Sequence, residues 1–137
     1  MDIHEKAYVS PGADVAEYCF IGPFTVVDAG ASIGESTRIG AGCHVQGDVR
    51  IGKNCEIGSG CLLGRQLQVM DGAIFGANVT TVGQVRVAPG VQVGAGSVLM
   101  GDSRPLSILK NVHPGSIVTW SSESGAKRQK KEVEEVE

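Results

Sequence analysis

His44 is the one histidine in the middle of this chain of 137 residues. An imidazole titrates near neutral pH, which suits removal of a proton from an attacking hydroxyl or amine. Asp28, Gln46 and Asn54 are the polar residues that could orient it. The other two histidines, His4 and His113, lie near the two ends, so a three-histidine zinc site is not expected. Cys19, Cys43, Cys55 and Cys61 show no C-x-x-C spacing, which argues against a zinc finger. In a reducing compartment they read as small buried hydrophobes.

The elements that must position His44 follow from an internal repeat. Every sixth residue from Ile3 to Leu99 gives seventeen anchors, of which all but Thr81 are hydrophobic, in one unbroken frame. Glycine often follows the anchor, as at Gly22, Gly34, Gly40, Gly52 and Gly58. Three residues after the anchor stand Gly30, Gly42, Asp48, Asn54, Gly60, Gly72, Asn78, Gly90 and Gly96. These residue types tolerate a left-handed backbone, so that slot is a turn. Four residues after the anchor the side chains are small or apolar, and all four cysteines fall in this slot. A unit of one short strand and one turn cannot bury its apolar side alone. Successive units must therefore stack into a β-solenoid.

This pattern resembles the hexapeptide-repeat proteins, over residues 3 to about 104. The resemblance implies an all-β fold, a left-handed parallel β-helix with three hexads per turn and a triangular cross-section. Seventeen hexads would make about 5.7 turns, a rod of roughly 27 Å at ~4.8 Å per strand. After this domain (1–104), residues 105–120 break the frame at Pro105 and Asn111 and read as a C-terminal capping segment. Residues 121–137 read as a charged, disordered tail or short exposed helix, with four basic residues followed by four acidic ones.

With three hexads per turn, residues 18 apart share a face, and the residue before each anchor points outward. One face then carries Asp2, Phe20, Arg38, Glu56, Ile74 and Gln92, which are mixed. Another carries Asp14, Ser32, Arg50, Gln68 and Arg86, which are polar. The third carries Tyr8, Val26, His44, Leu62, Thr80 and Val98, with Val82 and Met100 beside them. An apolar stripe on a small protein marks an association surface. The expected partner is a second and third copy, in a homotrimer through the face bearing Val26, His44, Leu62, Val82 and Val98.

Most enzymes resembling this fold transfer an acyl group from a coenzyme A or acyl-carrier thioester to a sugar hydroxyl or amine, in clefts between subunits. Ile-His-Glu-Lys-Ala-Tyr-Val-Ser-Pro-Gly-Ala (3–13) is similar to the first coil of the UDP-N-acetylglucosamine acyltransferases. Gly-Ala-Asn-Val-Thr-Thr-Val (76–82) and Val-Gly-Ala-Gly-Ser-Val-Leu (93–99) are similar to late coils of sugar N-acyltransferases. The resemblance implies a histidine as catalytic base, for which His44 is the candidate by its outward place on this face, with Gly94, Ala95, Gly96 and Ser97 near the pantetheine of coenzyme A and Arg104 or Lys110 at its phosphates. Coenzyme A is expected as a co-substrate, with no tightly bound cofactor and no metal.

Two departures support a second reading, a non-catalytic trimeric scaffold. In the UDP-N-acetylglucosamine acyltransferases the catalytic histidine stands two residues after an anchor, and this chain has no histidine in that slot. No long loop interrupts the hexads either. The 12 basic and 15 acidic residues, a net charge of −3, give no reason to expect nucleic acid. No apolar run approaches the ~20 residues of a membrane helix, and the first residues lack a signal-peptide pattern. A cytoplasmic location is expected.

Overall fold

The computed structural model describes residues 1–121 and 125–129. It is a left-handed parallel β-helix. The first turn is β1 (Asp2–Ile3), β2 (Tyr8–Val9) and β3 (Asp14–Val15); the second is β4 (Phe20–Ile21), β5 (Val26–Val27) and β6 (Ser32–Ile33). The third is β7 (Arg38–Ile39), β8 (His44–Val45) and β9 (Arg50–Ile51); the fourth is β10 (Glu56–Ile57), β11 (Leu62–Leu63) and β12 (Leu67–Val69). The fifth is β13 (Ile74–Phe75), β14 (Thr80–Val82) and β15 (Val85–Val87); the sixth is β16 (Gln92–Val93), β17 (Val98–Met100) and β18 (Leu106–Ile108). β19 (Ile117–Ser121) begins a seventh turn, and β20 (Gly125–Gln129) pairs antiparallel with it.

Each turn contributes one strand to each of three sheets. The first face is β1-β4-β7-β10-β13-β16, the second runs from β2 through β17 to β19 and β20, and the third is β3-β6-β9-β12-β15-β18. From Ile3 to Val93 the register steps by 18 residues, for example Ile21↔Ile39 and Leu63↔Thr81. The outward residue comes first and the anchor second in each two-residue strand, and anchors from Ile21 onward are buried. Ile3 sits at the open end of the rod and is 36% exposed.

The rod is longer than the seventeen hexads imply. Three extra residues enter the turn between β17 and β18, so Val87 pairs with Ile108, and two fewer follow, so Val93 bridges Val112. Ile108 and Val112 take over the inward positions that Pro105 and Asn111 could not fill, Val118 stacks next on Leu99, and all three are buried. Residues 105–120 therefore hold β18, the Val112 bridge and most of β19. The expected tail, 121–137, lies outside the described residues except for Ser121 and β20.

The turn slot adopts positive φ at its glycines from Gly30 to Gly96 and at Asp48, Asn54 and Asn78, as the residue types predict. It also does so at Tyr18 (φ 64) and Phe24 (φ 62), where an L side chain is strained. The repeat imposes the conformation there regardless of residue type.

Candidate active site

His44 is the first residue of β8 and points outward from the second face, between Val26 below and Leu62 above. Its Nε2 lies 2.8 Å from Oδ2 of Asp28, and both side chains are 42% exposed. Asp28 follows β5, one coil below, at the edge where the second face turns into the third. A carboxylate only accepts hydrogen bonds, so His44 Nε2 carries the proton and donates it, which leaves the Nδ1 lone pair for a base. The two other candidate orienters are engaged elsewhere. Gln46 Oε1 accepts from the backbone N–H of Arg65 at 3.2 Å. Asn54 lies in the turn between β9 and β10, on a different edge of the prism.

An open cleft of about 510 Å³ lies on the Asp28 side of the pair, lined by Tyr8, Ser10, Asp28, Ala29, Gln46, Gly47 and Arg65; His44 itself does not line it. Arg65 reaches Asp48 at 3.7 Å, with both side chains mostly in solvent. A Cβ on Gly47 would fall 2.8 Å from the Ala29 carbonyl oxygen, so only glycine keeps this wall of the cleft. Sequence reasoning missed Tyr8, Ser10 and Arg65 as cleft residues. The signal was present: Ser10, Asp28 and Gln46 all occupy the slot one after the anchor, in three successive coils.

The six residues implied for coenzyme A do not gather on one chain. Gly94, Ala95 and Gly96 lie on the edge between the first and second faces, Arg104 on the edge between the second and third, and Lys110 on the edge between the third and first. Ser97 is a correction. It is fully buried, and its hydroxyl donates among the carbonyls of Gly94 (2.8 Å) and His113 (3.1 Å), so it cannot touch a ligand outside the rod. Arg104 is exposed and paired with Asp102 at 3.0 Å, which holds that carboxyl below its usual range.

The four cysteines are buried free thiols, and they do more than fill space. Cys19, Cys43, Cys55 and Cys61 place their thiols 3.1–3.2 Å from the carbonyls of Gly34, Gly58, Met70 and Gly76 in the next coil. Thr25 and Thr37 do the same with Gly40 and Gly52 at 2.6 Å. The interior slot thus supplies weak or strong donors to carbonyls at the corners of the prism. The neighbouring Cys43 and burial push the Cys61 thiol up. Burial pushes Cys55 up as well.

His4 accepts at Nδ1 from the Lys6 backbone N–H at 3.0 Å, a local turn contact. His113 is exposed in the turn before β19. Among the described residues no cluster of histidine, cysteine or carboxylate side chains could hold a metal ion, and no helix is long and apolar enough to cross a membrane.

Comparison with known proteins agrees with this architecture. Residues 30–65 match the family described as bacterial transferase hexapeptide (six repeats). No curated protein matches the chain. Among solved structures, PerB from Caulobacter crescentus, in complex with CoA and GDP-perosamine, superposes with a TM-score of 0.70 at 23% identity, covering 93% of this chain and 56% of PerB. The acetyltransferase domain of PglB from Neisseria gonorrhoeae, in complex with acetyl coenzyme A, superposes with a TM-score of 0.69 at 19% identity, covering 91% of this chain and 55% of that one. The chain thus spans little more than half the length of these structures. The chain therefore shares the left-handed parallel β-helix fold of these structures, and its residues 30–65 match the hexapeptide model.

Proposed function

We propose that this protein transfers an acyl group from a coenzyme A thioester to the hydroxyl or amine of a sugar-type acceptor, with His44 as general base. The observation that carries the reading is the 2.8 Å contact between His44 and Asp28 beside an open cleft. Such a contact fixes the ring and its tautomer, and leaves Nδ1 to take a proton. The acceptor oxygen or nitrogen attacks the thioester carbonyl carbon as its proton passes to Nδ1. The C–S bond then breaks, and the imidazolium returns the proton to the departing thiolate. The fold shared with structures that hold CoA or acetyl coenzyme A supports the donor class.

In this reading the working unit is a homotrimer packed through the second face. Exposed Tyr8, Leu62, Val82, Met100 and Ile117 lie on or beside that face. Three second faces set around a three-fold axis bring the first–second edge of one subunit beside the second–third edge of the next. Gly94, Ala95 and Gly96 of one chain then border the His44–Asp28 cleft of its neighbour, some three coils or ~14 Å lower at ~4.8 Å per coil. Arg104, on the cleft's own edge, is available to the phosphates; Lys110 is on the far edge. The free thiols suit the reducing cytoplasm expected for it.

The test is release of the coenzyme A thiol from acetyl-CoA in the presence of amino-sugar acceptors, for wild type and for His44→Ala. A general base contributes about 10²- to 10⁴-fold, so His44→Ala should lose that much turnover with the fold intact. Equal turnover in the two proteins removes His44 from the mechanism. The scaffold reading draws on the absence of histidine two residues after any anchor, and it predicts no thiol release by either protein.

A further inference from the structure

The first face carries a ladder that is complementary to itself. Its outward residues, in order up the rod, are Asp2, Phe20, Arg38, Glu56, Ile74 and Gln92, paired in register as Phe20↔Arg38, Arg38↔Glu56, Glu56↔Ile74 and Ile74↔Gln92. Reading inward from both ends of the central four gives apolar, charge, opposite charge, apolar. Arg38 and Glu56 are direct neighbours, yet no ion pair joins them. Arg38 instead lies over the Phe20 ring, 4.7 Å from its centroid. Both charged side chains and Ile74 are exposed, Ile74 at 38%.

We propose that this face docks a second copy of the chain, with the two rods antiparallel about a two-fold axis between the Arg38 and Glu56 rungs. That operation sets Arg38 of each copy against Glu56 of the other, and Phe20 of each against Ile74. Two ion pairs then occupy the centre of the contact, bounded above and below by apolar pairs that exclude water. The stacking of Arg38 on Phe20 holds the guanidinium flat against the face, so little side-chain freedom is lost on docking. The same operation places Tyr18, exposed at the turn before β4, opposite Gly72 at the turn before β13, a large side chain facing an open one. A contact in which Arg38 of one copy meets Glu56 of the other, and Glu56 of the first meets Arg38 of the second, is isologous. Six rungs at ~4.8 Å make a contact less than ~30 Å long, at the small end of specific interfaces. The association is therefore weak and depends on salt.

This surface is separate from the second face and its proposed trimer, so the two fail independently. The experiment is sedimentation velocity of the full chain over a range of concentrations, at low and at high salt. Wild type should show a species of twice the mass where the smaller unit is a single chain, and larger species where it is a trimer presenting three such faces, weakened by salt in both cases. Arg38→Glu and Glu56→Arg should each weaken the doubling at least tenfold. The double variant Arg38→Glu/Glu56→Arg should recover it to within about threefold, because the swapped charges face each other again across the two-fold. Both substitutions are on exposed residues, and the double variant carries both changes, so its recovery excludes misfolding as the cause. Absence of doubling in wild type, single variants that behave as wild type, or a double variant as weak as the singles would each overturn the proposal. Leu62→Glu on the second face should leave the doubling unchanged.

Discussion

Truncating one anchor in the middle of the rod and one at its end separates the contribution of stacking from that of the repeat itself. Leu63 and Ile3 hold the same slot, but Leu63 is fully buried in the fourth turn and Ile3 is 36% exposed in the first. Substitution by alanine removes three carbons from each, about 2.4 kcal/mol of transfer energy at ~0.8 kcal/mol per methylene. At Ile3 only the buried two-thirds counts and no closed cavity forms, which leaves about 1.5 kcal/mol. At Leu63 the coils above and below are fixed by backbone hydrogen bonds such as Gln46 N–H to the Leu63 carbonyl at 3.1 Å and Gly64 N–H to the Thr81 carbonyl at 3.2 Å. The walls cannot collapse, so a cavity term adds to the transfer term and the loss reaches about 3–5 kcal/mol. Urea unfolding of the two variants at equal protein concentration measures both values, with an unchanged slope confirming that the denatured state is the same. Equal losses, or a larger loss at Ile3, would refute the reasoning that each coil is stabilised by its two neighbours.

Three further outcomes follow from the site and the core. Asp28→Asn should lower turnover by about 10²- to 10⁴-fold with little change in acceptor KM, because an amide can donate to Nε2 and leave the proton on Nδ1; steady-state kinetics of the folded variant check it. Cys55 has a folded-state pKa raised above its ordinary 9.0 by burial, so the stability it contributes is complete below that value and is lost as the pH rises above it. Melting temperatures taken across that range should fall, and Cys55→Ala should remove part of the fall. Leu62→Glu puts a charge into the second face beside His44, and light scattering should show it reducing a trimer to single chains while the circular dichroism of the coil is retained.

The coil itself was legible because one slot in six carries a buried aliphatic and nothing interrupts the frame from Ile3 to Leu99. The same arithmetic placed His44 outward on a largely apolar face. It did not distinguish Asp28 from Asn54 as the partner of His44. That choice depends on which edge of the prism each residue occupies, and only a count of edges as well as faces resolves it. Ser97 was readable and was misassigned: it falls four residues after Val93, the slot that holds every cysteine, and it is interior for the same reason. The continuation through Leu106–Ile108 was hidden because a three-residue insertion shifts the frame, and a fixed period sees only its own register. The thiol and hydroxyl contacts with corner carbonyls depend on side-chain rotamers, which spacing does not reveal.

The thioester donor is tested most directly by calorimetric titration of the full chain with acetyl-CoA. Saturable binding of one molecule per chain is expected, and it should be lost in Leu62→Glu because the cleft needs a neighbouring subunit to complete it. An absence of saturable binding up to millimolar acetyl-CoA would contradict the thioester donor and leave the rod as a scaffold.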